Sequence, residues 1–218
     1  MVDTNREMKF FVLDSPAIGS SSEMDVLFSD RDRVGEADQC PECGSFVSML
    51  PALPPIMVEL ILHGSKFPDV AKASGGELLI SEKVHRVFCE NNILGLDRCN
   101  SAEIVIARKR NKTDENHPAY YLAGVCLGKG VVDPCASELD CEPPKCTVCW
   151  TSKLIRRTRS IVLKEGSWGR EDVFRPRGLP GVILISENLK SELDKCSAVI
   201  NVTRAEEYAF DFYPNKKG

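Results

Sequence analysis

No stretch of this chain approaches the roughly 20 consecutive apolar residues that a helix needs to cross a bilayer, so no membrane span is expected. The start also lacks the order of an export signal. Met1 to Asp14 mixes acidic and basic side chains ahead of a short apolar run, Phe10 to Leu13, with no small-residue cleavage site behind it. The expected location is therefore the cytoplasm. Histidine is scarce, with three in 218 residues. His63, His85 and His117 stand in unrelated contexts, and no pair has the spacing of a hydrolytic metal motif. A nucleophile elbow is missing as well. Gly128-Lys129 comes nearest to a phosphate loop and fails, because only three residues separate Gly124 from Gly128 and Gly130 stands where Ser or Thr is needed. These absences remove the motif-defined enzyme classes, and a non-enzymatic protein is expected. Basic residues are outnumbered too, 28 Lys and Arg against 32 Asp and Glu for a net charge of −4. That balance weakens the phosphate-driven attraction on which nucleic-acid binding depends.

Cysteine is plentiful, at ten residues. A secreted disulfide scaffold would use that many, but a chain of this length can bury a core without staples, and reduced thiols are expected. Two pairs share one spacing, Cys40-Pro41-Glu42-Cys43-Gly44 and Cys146-Thr147-Val148-Cys149-Trp150, 146 − 40 = 106 positions apart. Leu79-Ile80-Ser81-Glu82 returns as Leu184-Ile185-Ser186-Glu187 at a shift of 105. Gly64-Ser65 followed by Asp69-Val70 returns as Gly166-Ser167 followed by Asp172-Val173. Four matches in one order point to an internal duplication of a unit of roughly 100 residues.

One Cys-x-x-Cys turn supplies half of a tetrahedral thiolate shell, so one turn from each half completes it. Cys40, Cys43, Cys146 and Cys149 are the expected ligands and zinc the expected ion, since it accepts four thiolates in a closed structural site. The alternative is two ordinary reduced turns without metal. Cys135 and Cys141 precede the second pair closely enough to be spare ligands. Cys89, Cys126 and Cys196 sit among apolar residues and read as small buried hydrophobes.

Met8 to Leu13 reads as a first strand, and Ser15 to Gln39 as a polar, acidic stretch. Val58 to Leu62 and Leu78 to Ile80 read as strands. Ser81 then caps a helix whose stripe is Val84, Val87 and Phe88, stopped by Asn91, Asn92 and Gly95. The second copy repeats this with a strand at Val182 to Ile185, a cap at Ser186 and a stripe of Leu189, Leu193 and Cys196. A strand is expected after each helix, at Glu103 to Ala107 and at Tyr208 to Phe212. Arg108 to Asn116 reads as an exposed loop, Tyr120 to Val125 as a strand, and Arg159 to Leu163 as strand-like. The expected fold class is α+β, with internally duplicated strand-strand-helix units joined by a shared four-cysteine zinc-knuckle site. Residues 1–110 would form the first half, including the N-terminal strand and acidic segment, and 111–218 the second, packed as one pseudo-symmetric unit.

Two chemical uses of the knuckles compete with a structural metal. Thiol catalysis wants a cysteine at a helix N-terminus, and neither pair leads into a helical pattern. Zinc ribbons also bind nucleic acid, and Lys153, Arg156, Arg157 and Arg159 follow the second knuckle with Trp150 available to stack on a base. A zinc-ribbon nucleic-acid-binding or regulatory protein is thus the alternative reading, set against the acidic net charge.

The chain resembles the double-CXXCG motif family, paralogous proteins of myxobacteria, some of them classed as immunity proteins against swarming-inhibition toxins. The resemblance rests on Cys40-Pro41-Glu42-Cys43-Gly44, Phe67-Pro68-Asp69, Gly76 through Glu82 and Tyr120-Tyr121-Leu122. It is strongest from Glu171 through Arg175-Pro176-Arg177-Gly178-Leu179-Pro180-Gly181 to Glu187. It implies a protein that binds and neutralises a cognate toxin, with Cys40, Cys43, Cys146 and Cys149 as metal ligands and no catalytic residues. The chain departs from the pattern at Trp150, where the family motif has Gly, and a looser second turn is expected there.

Overall fold

The computed structural model describes residues 8–30, 32–73, 76–109, 112–113, 116–151 and 154–211. Sheet dominates, with two short helices, so the class is α+β. In chain order the elements are β1 (Phe10–Asp14), β2 (Met24–Phe28), β3 (Ile56–Leu62), β4 (Val70–Lys72), β5 (Leu78–Ser81), α1 (Glu82–Glu90), β6 (Leu96–Lys109), β7 (Lys112–Thr113), β8 (Tyr120–Val125) and β9 (Leu127–Val131). They continue with β10 (Asp140–Cys141), β11 (Ile155–Thr158), β12 (Val173–Arg177), β13 (Ile183–Ser186), α2 (Glu187–Lys195), β14 (Asn201–Arg204) and β15 (Phe210–Asp211). One sheet runs β2-β3-β6-β8-β5-β4 with β7 folded back on β6, a second runs β14-β1-β13-β12-β9, and a small third runs β10-β11-β15. No helix among the described residues is long and apolar enough to cross a membrane.

The two sheets meet over one apolar core. Alternate residues of a strand point to opposite faces. Leu78 and Ile80 of β5 and Ile183 and Ile185 of β13 accordingly enter the shared core with Val84, Val87 and Phe88 of α1 and Leu189 and Leu193 of α2. Leu79 and Leu184, one step along, turn to separate clusters on the outer faces. Burial of both strand faces explains why these strands are apolar runs, and each such side chain stabilises by about 1.5–3 kcal/mol. Both helices start at the expected serines. Ser81 Oγ accepts from Val84 N at 3.4 Å and Ser186 Oγ from Leu189 N at 3.1 Å. Beyond α1, Gly95 has φ +117°, and a Cβ there would lie 1.7 Å from the Val173 carbonyl oxygen. Only glycine lets β6 start against β12.

Strand pairing crosses the 110/111 boundary. β8 lies beyond it yet pairs between β5, with Ser81 opposite Tyr120, and β6. β1, at the other end of the chain, pairs between β13, with Phe10 opposite Ser186, and β14. The orders β4-β5-β8-β6 and β12-β13-β1-β14 thus match, all antiparallel. Val70 faces Ile80 in one and Val173 faces Ile185 in the other.

Several expectations change. β2 forms inside the stretch read as polar and acidic, because Met24, Val26 and Phe28 pack on the core from β3. The strand after α1 runs to Lys109, and β7 pairs back onto it where a loop is expected. Residues 110–111 and 114–115 of that stretch lie outside the described residues. The strand after α2 is β14, while the expected strand at Tyr208 shrinks to Phe210–Asp211, with Phe212 outside the described residues. The strand-like run after the second knuckle is Ile155–Thr158, upstream of the expected one. Cys89 is exposed, and Cys126 and Cys196 are half-buried. Cys89 follows Phe88 by about 100° of helical turn and so leaves the buried stripe.

Candidate metal centre

Each cysteine pair sits on a closed turn. In the first, Gly44 N donates to Cys40 O at 2.9 Å and Cys40 N to Ser45 O at 2.8 Å. In the second, Trp150 N donates to Cys146 O at 3.1 Å, and Val148 N points at Cys146 Sγ at 3.4 Å. Gly44 and Trp150 hold the same left-handed backbone, with φ +68° and +56°. The second turn thus keeps the backbone of the first although Trp150 replaces Gly, with its closing bond longer, 3.1 Å against 2.9 Å. A side chain in this conformation costs about 1–2 kcal/mol. Lys164 offsets part of it, placing its ammonium 3.6 Å from the centre of the indole ring.

The two turns face each other. Cys40 Sγ lies 3.9 Å from Cys146 Sγ and Cys43 Sγ 3.7 Å from Cys149 Sγ, first with first and second with second. All four sulfurs lie within 4.8 Å of one another. A disulfide would need about 2.0 Å, so these are four separate sulfurs. A tetrahedron with metal–sulfur bonds of about 2.3 Å has edges of about 3.8 Å, which fits both measured pairs. Cys40, Cys146 and Cys149 are buried and Cys43 is exposed. Hydrogen bonds from the Ser45 hydroxyl and backbone bring the Cys43 thiol down to about 6, toward the thiolate form that binds metal. The four residues offer a closed soft-donor shell with no open position, which can hold an ion and tie two distant segments together.

β12 carries the supports for this shell. Arg175 and Arg177 are two residues apart and project from the same side of the strand. Arg175 Nε donates to Val125 O at 2.9 Å and Nη1 to Val47 O at 2.7 Å, beside the first knuckle. Arg177 Nε donates to Gly128 O at 3.0 Å and Nη1 to Val148 O at 2.6 Å, inside the second. Each guanidinium thus spans from the sheet to one knuckle. Burial pulls the Arg175 guanidinium below its usual value, and Asp97 and Asp38 oppose that shift. Sequence reasoning assigns these arginines no role. The signal available is the alternation Arg-Pro-Arg, two cations on one face of a run that is otherwise apolar.

The other expected residues fall elsewhere. Cys135 and Cys141 are not in the sulfur cluster. Arg156 and Arg157 reach Asp140 at 3.0 and 3.8 Å, and Lys153 lies outside the described residues. The Trp150 ring is covered by Lys164 on one face. His63 bonds Asp25, His85 stacks on Tyr121, and His117 bonds the Pro118 carbonyl, in three separate places.

Ser81 and Ser186 do more than cap. Ser81 Oγ donates to Asp69 Oδ1 at 2.6 Å, and Asp69 Oδ2 accepts from Val199 N at 2.6 Å, in the loop after α2. Ser186 Oγ donates to Asp172 Oδ1 at 2.8 Å, and Asp172 Oδ2 accepts from Leu94 N at 3.2 Å, in the loop after α1. Each aspartate therefore joins its own helix start to the end of the other helix. No family model and no curated protein matches the chain.

Proposed function

We propose that Cys40, Cys43, Cys146 and Cys149 hold one structural zinc ion, and that the protein is a non-enzymatic cytoplasmic immunity protein that neutralises a cognate toxin by binding it. The observation that carries the metal reading is the pair of sulfur separations, 3.7 and 3.9 Å, near the edge of a zinc–thiolate tetrahedron. Zinc fits four thiolates without redox change, and a closed shell serves stability. The ion would fasten the two knuckles, and through Arg175 and Arg177 both sheets, so its binding energy becomes folding energy. The paired strand orders and the reciprocal aspartates support descent from a duplicated unit whose copies exchange their first strands.

The neutralising role rests on the resemblance carried by the cysteine motif and by the run from Glu171 to Glu187. In that run Asp172, Arg175, Arg177 and Ser186 hold helix and knuckles in place, so it describes a scaffold. A scaffold of this kind acts by presenting a surface. The nucleic-acid alternative draws on Trp150 and the basic cluster, of which Arg156 and Arg157 are engaged with Asp140.

Elemental analysis of freshly purified protein should give about one zinc per chain, lost in both Cys40→Ser and Cys146→Ser. Retention of metal in either variant refutes the shared shell. Co-production with toxins encoded beside its gene should protect cells from one of them, and failure against every neighbour removes the immunity reading.

A further inference from the structure

The chain from Arg33 to Leu53 forms an irregular antiparallel ribbon with the first knuckle at its tip. Leu53 N donates to Arg33 O at 3.1 Å, Gly35 N to Pro51 O at 2.8 Å, and Val47 N to Asp38 O at 2.9 Å. Of the eleven large hydrophobic residues exposed among the described residues, five lie on this ribbon: Val34, Phe46, Met49, Leu50 and Leu53. Phe46 and Met49 are each 64% exposed. Surface apolar residues scattered singly need no explanation, whereas five on one short ribbon do.

Charge on the ribbon is mainly negative. Glu36, Asp38 and Glu42 are exposed there, and Asp32 just before it. Arg33 is the only cation between residues 32 and 53, and it is committed to Asp30 at 3.2 Å. Among the described residues no ion pair engages Glu36 or Glu42. A second copy of this chain would bring Glu36 and Glu42 against the same carboxylates and be repelled, whereas a cationic partner is both steered and held. We infer that this ribbon is a docking surface for a basic protein segment that inserts apolar side chains among Phe46, Met49 and Leu50, with its cations facing Glu36 and Glu42. The knuckle at the tip fixes the ribbon's shape before binding, which lowers the ordering cost. The inference deepens the neutralising role by naming the surface and the partner's chemistry, and it rests on that reading only for who the partner is.

The test uses the full, metal-loaded chain and three short peptides: Lys alternating with Leu and Trp, the same with Ser for Leu and Trp, and the same with Glu for Lys. Binding by isotope-edited NMR should occur with the first alone, with shifted amides confined to residues 33–53. Phe46→Ser with Leu50→Ser should weaken it by about tenfold or more. Glu36→Gln with Glu42→Gln should weaken it less and flatten its dependence on salt. Equal binding of the Lys-Ser peptide, shifts elsewhere, or no binding overturns the inference. So does a concentration-dependent dimer that Phe46→Ser abolishes, because the occupant would then be a second copy. Thermal unfolding of each variant at the wild-type midpoint ensures that lost binding is not lost folding. If the peptide docks as expected while no neighbouring toxin is neutralised, the surface stands and the immunity role alone fails.

Discussion

Asp69 and Asp172 occupy matching corners of the two sheets, yet one is sealed and the other is open. Asp69 is 7% exposed and accepts from Ser81, Val199 and Lys83 at 2.6, 2.6 and 2.7 Å. Asp172 is half-buried and accepts from Ser186, Asn188 and Leu94 at 2.8, 3.1 and 3.2 Å. The backbone exchange is equal on both sides, with Asp69 N on Val199 O and Asp172 N on Leu94 O, each at 2.8 Å. The difference lies in what covers the carboxylate. Tyr120 closes the first corner, buried and donating its hydroxyl to Pro68 O at 2.7 Å. Its counterpart opposite Ser186 is Phe10, which has no hydroxyl. One hydrogen-bond pattern is therefore built at two depths, and burial decides how much each bond contributes.

Breaking the corners should separate them by the largest margin. Asp69→Ala leaves the Ser81 hydroxyl and the Val199 amide without an acceptor away from water, and should cost about 3 kcal/mol. Asp172→Ala leaves groups that water can reach and should cost about 1 kcal/mol. Thermal unfolding of the two variants checks this, at about 2–4 °C for each kcal/mol in a chain of this size. Equal midpoints would mean that the corners are energetically alike despite their burial. The serines test the same point more gently, since Ser81→Ala and Ser186→Ala each remove a helix cap of about 1 kcal/mol.

The corners also indicate what a sequence can disclose. Ser81 and Ser186 are legible because a cap is local: a hydroxyl, a dipole and an apolar stripe within a few residues. The four sulfurs are legible because their spacing repeats. Asp69 and Asp172 match in sequence too, but their partners Val199 and Leu94 lie 130 and 78 residues away, and a backbone amide leaves no sequence signature. The sheet that each of β1 and β8 joins is hidden for a related reason. Both are ordinary apolar strands, and nothing in Phe10 to Asp14 says which sheet they will join. β2 is obscured by Asp25 and the acids around it, although only its alternate residues need a core. Arg175 and Arg177 look like surface cations until the knuckle carbonyls they hold are in view.

The knuckles sharpen the comparison at smaller energies, because there the backbone is shared and the side chain differs. Gly44→Ala places a Cβ at φ +68° with nothing within 4 Å to clash, so it isolates the backbone cost at about 1 kcal/mol. Trp150→Gly should recover a similar amount and lose the contact with Lys164, leaving the unfolding midpoint nearly unchanged. Lys164→Met alone should cost about 0.5–1 kcal/mol. A large loss in Trp150→Gly would show that the indole supports the second knuckle well beyond its contact with Lys164.

The smallest expected effect concerns a pair that the first sheet has and the second lacks. β2 and β3 extend the first sheet, and there His63 Nε2 meets Asp25 Oδ2 at 2.9 Å. The Asp25 side-chain hydrogen bond, followed by its charge and that of Glu23, raises the His63 value above the usual imidazole range against the opposing pull of desolvation. A raised value in the fold means that the folded state holds its proton longer than the unfolded chain does. The stabilisation is then complete below about 6.5, the unfolded value, and is lost as pH rises through the higher folded one. Both groups are exposed, so the effect is small and weakens with salt. The midpoint difference between wild type and His63→Gln should shrink as pH is raised through neutrality. A difference that grows with pH would mean that neutral His63 is the form the fold prefers, and that Asp25 holds β2 to β3 as an acceptor from an imidazole N–H without charge.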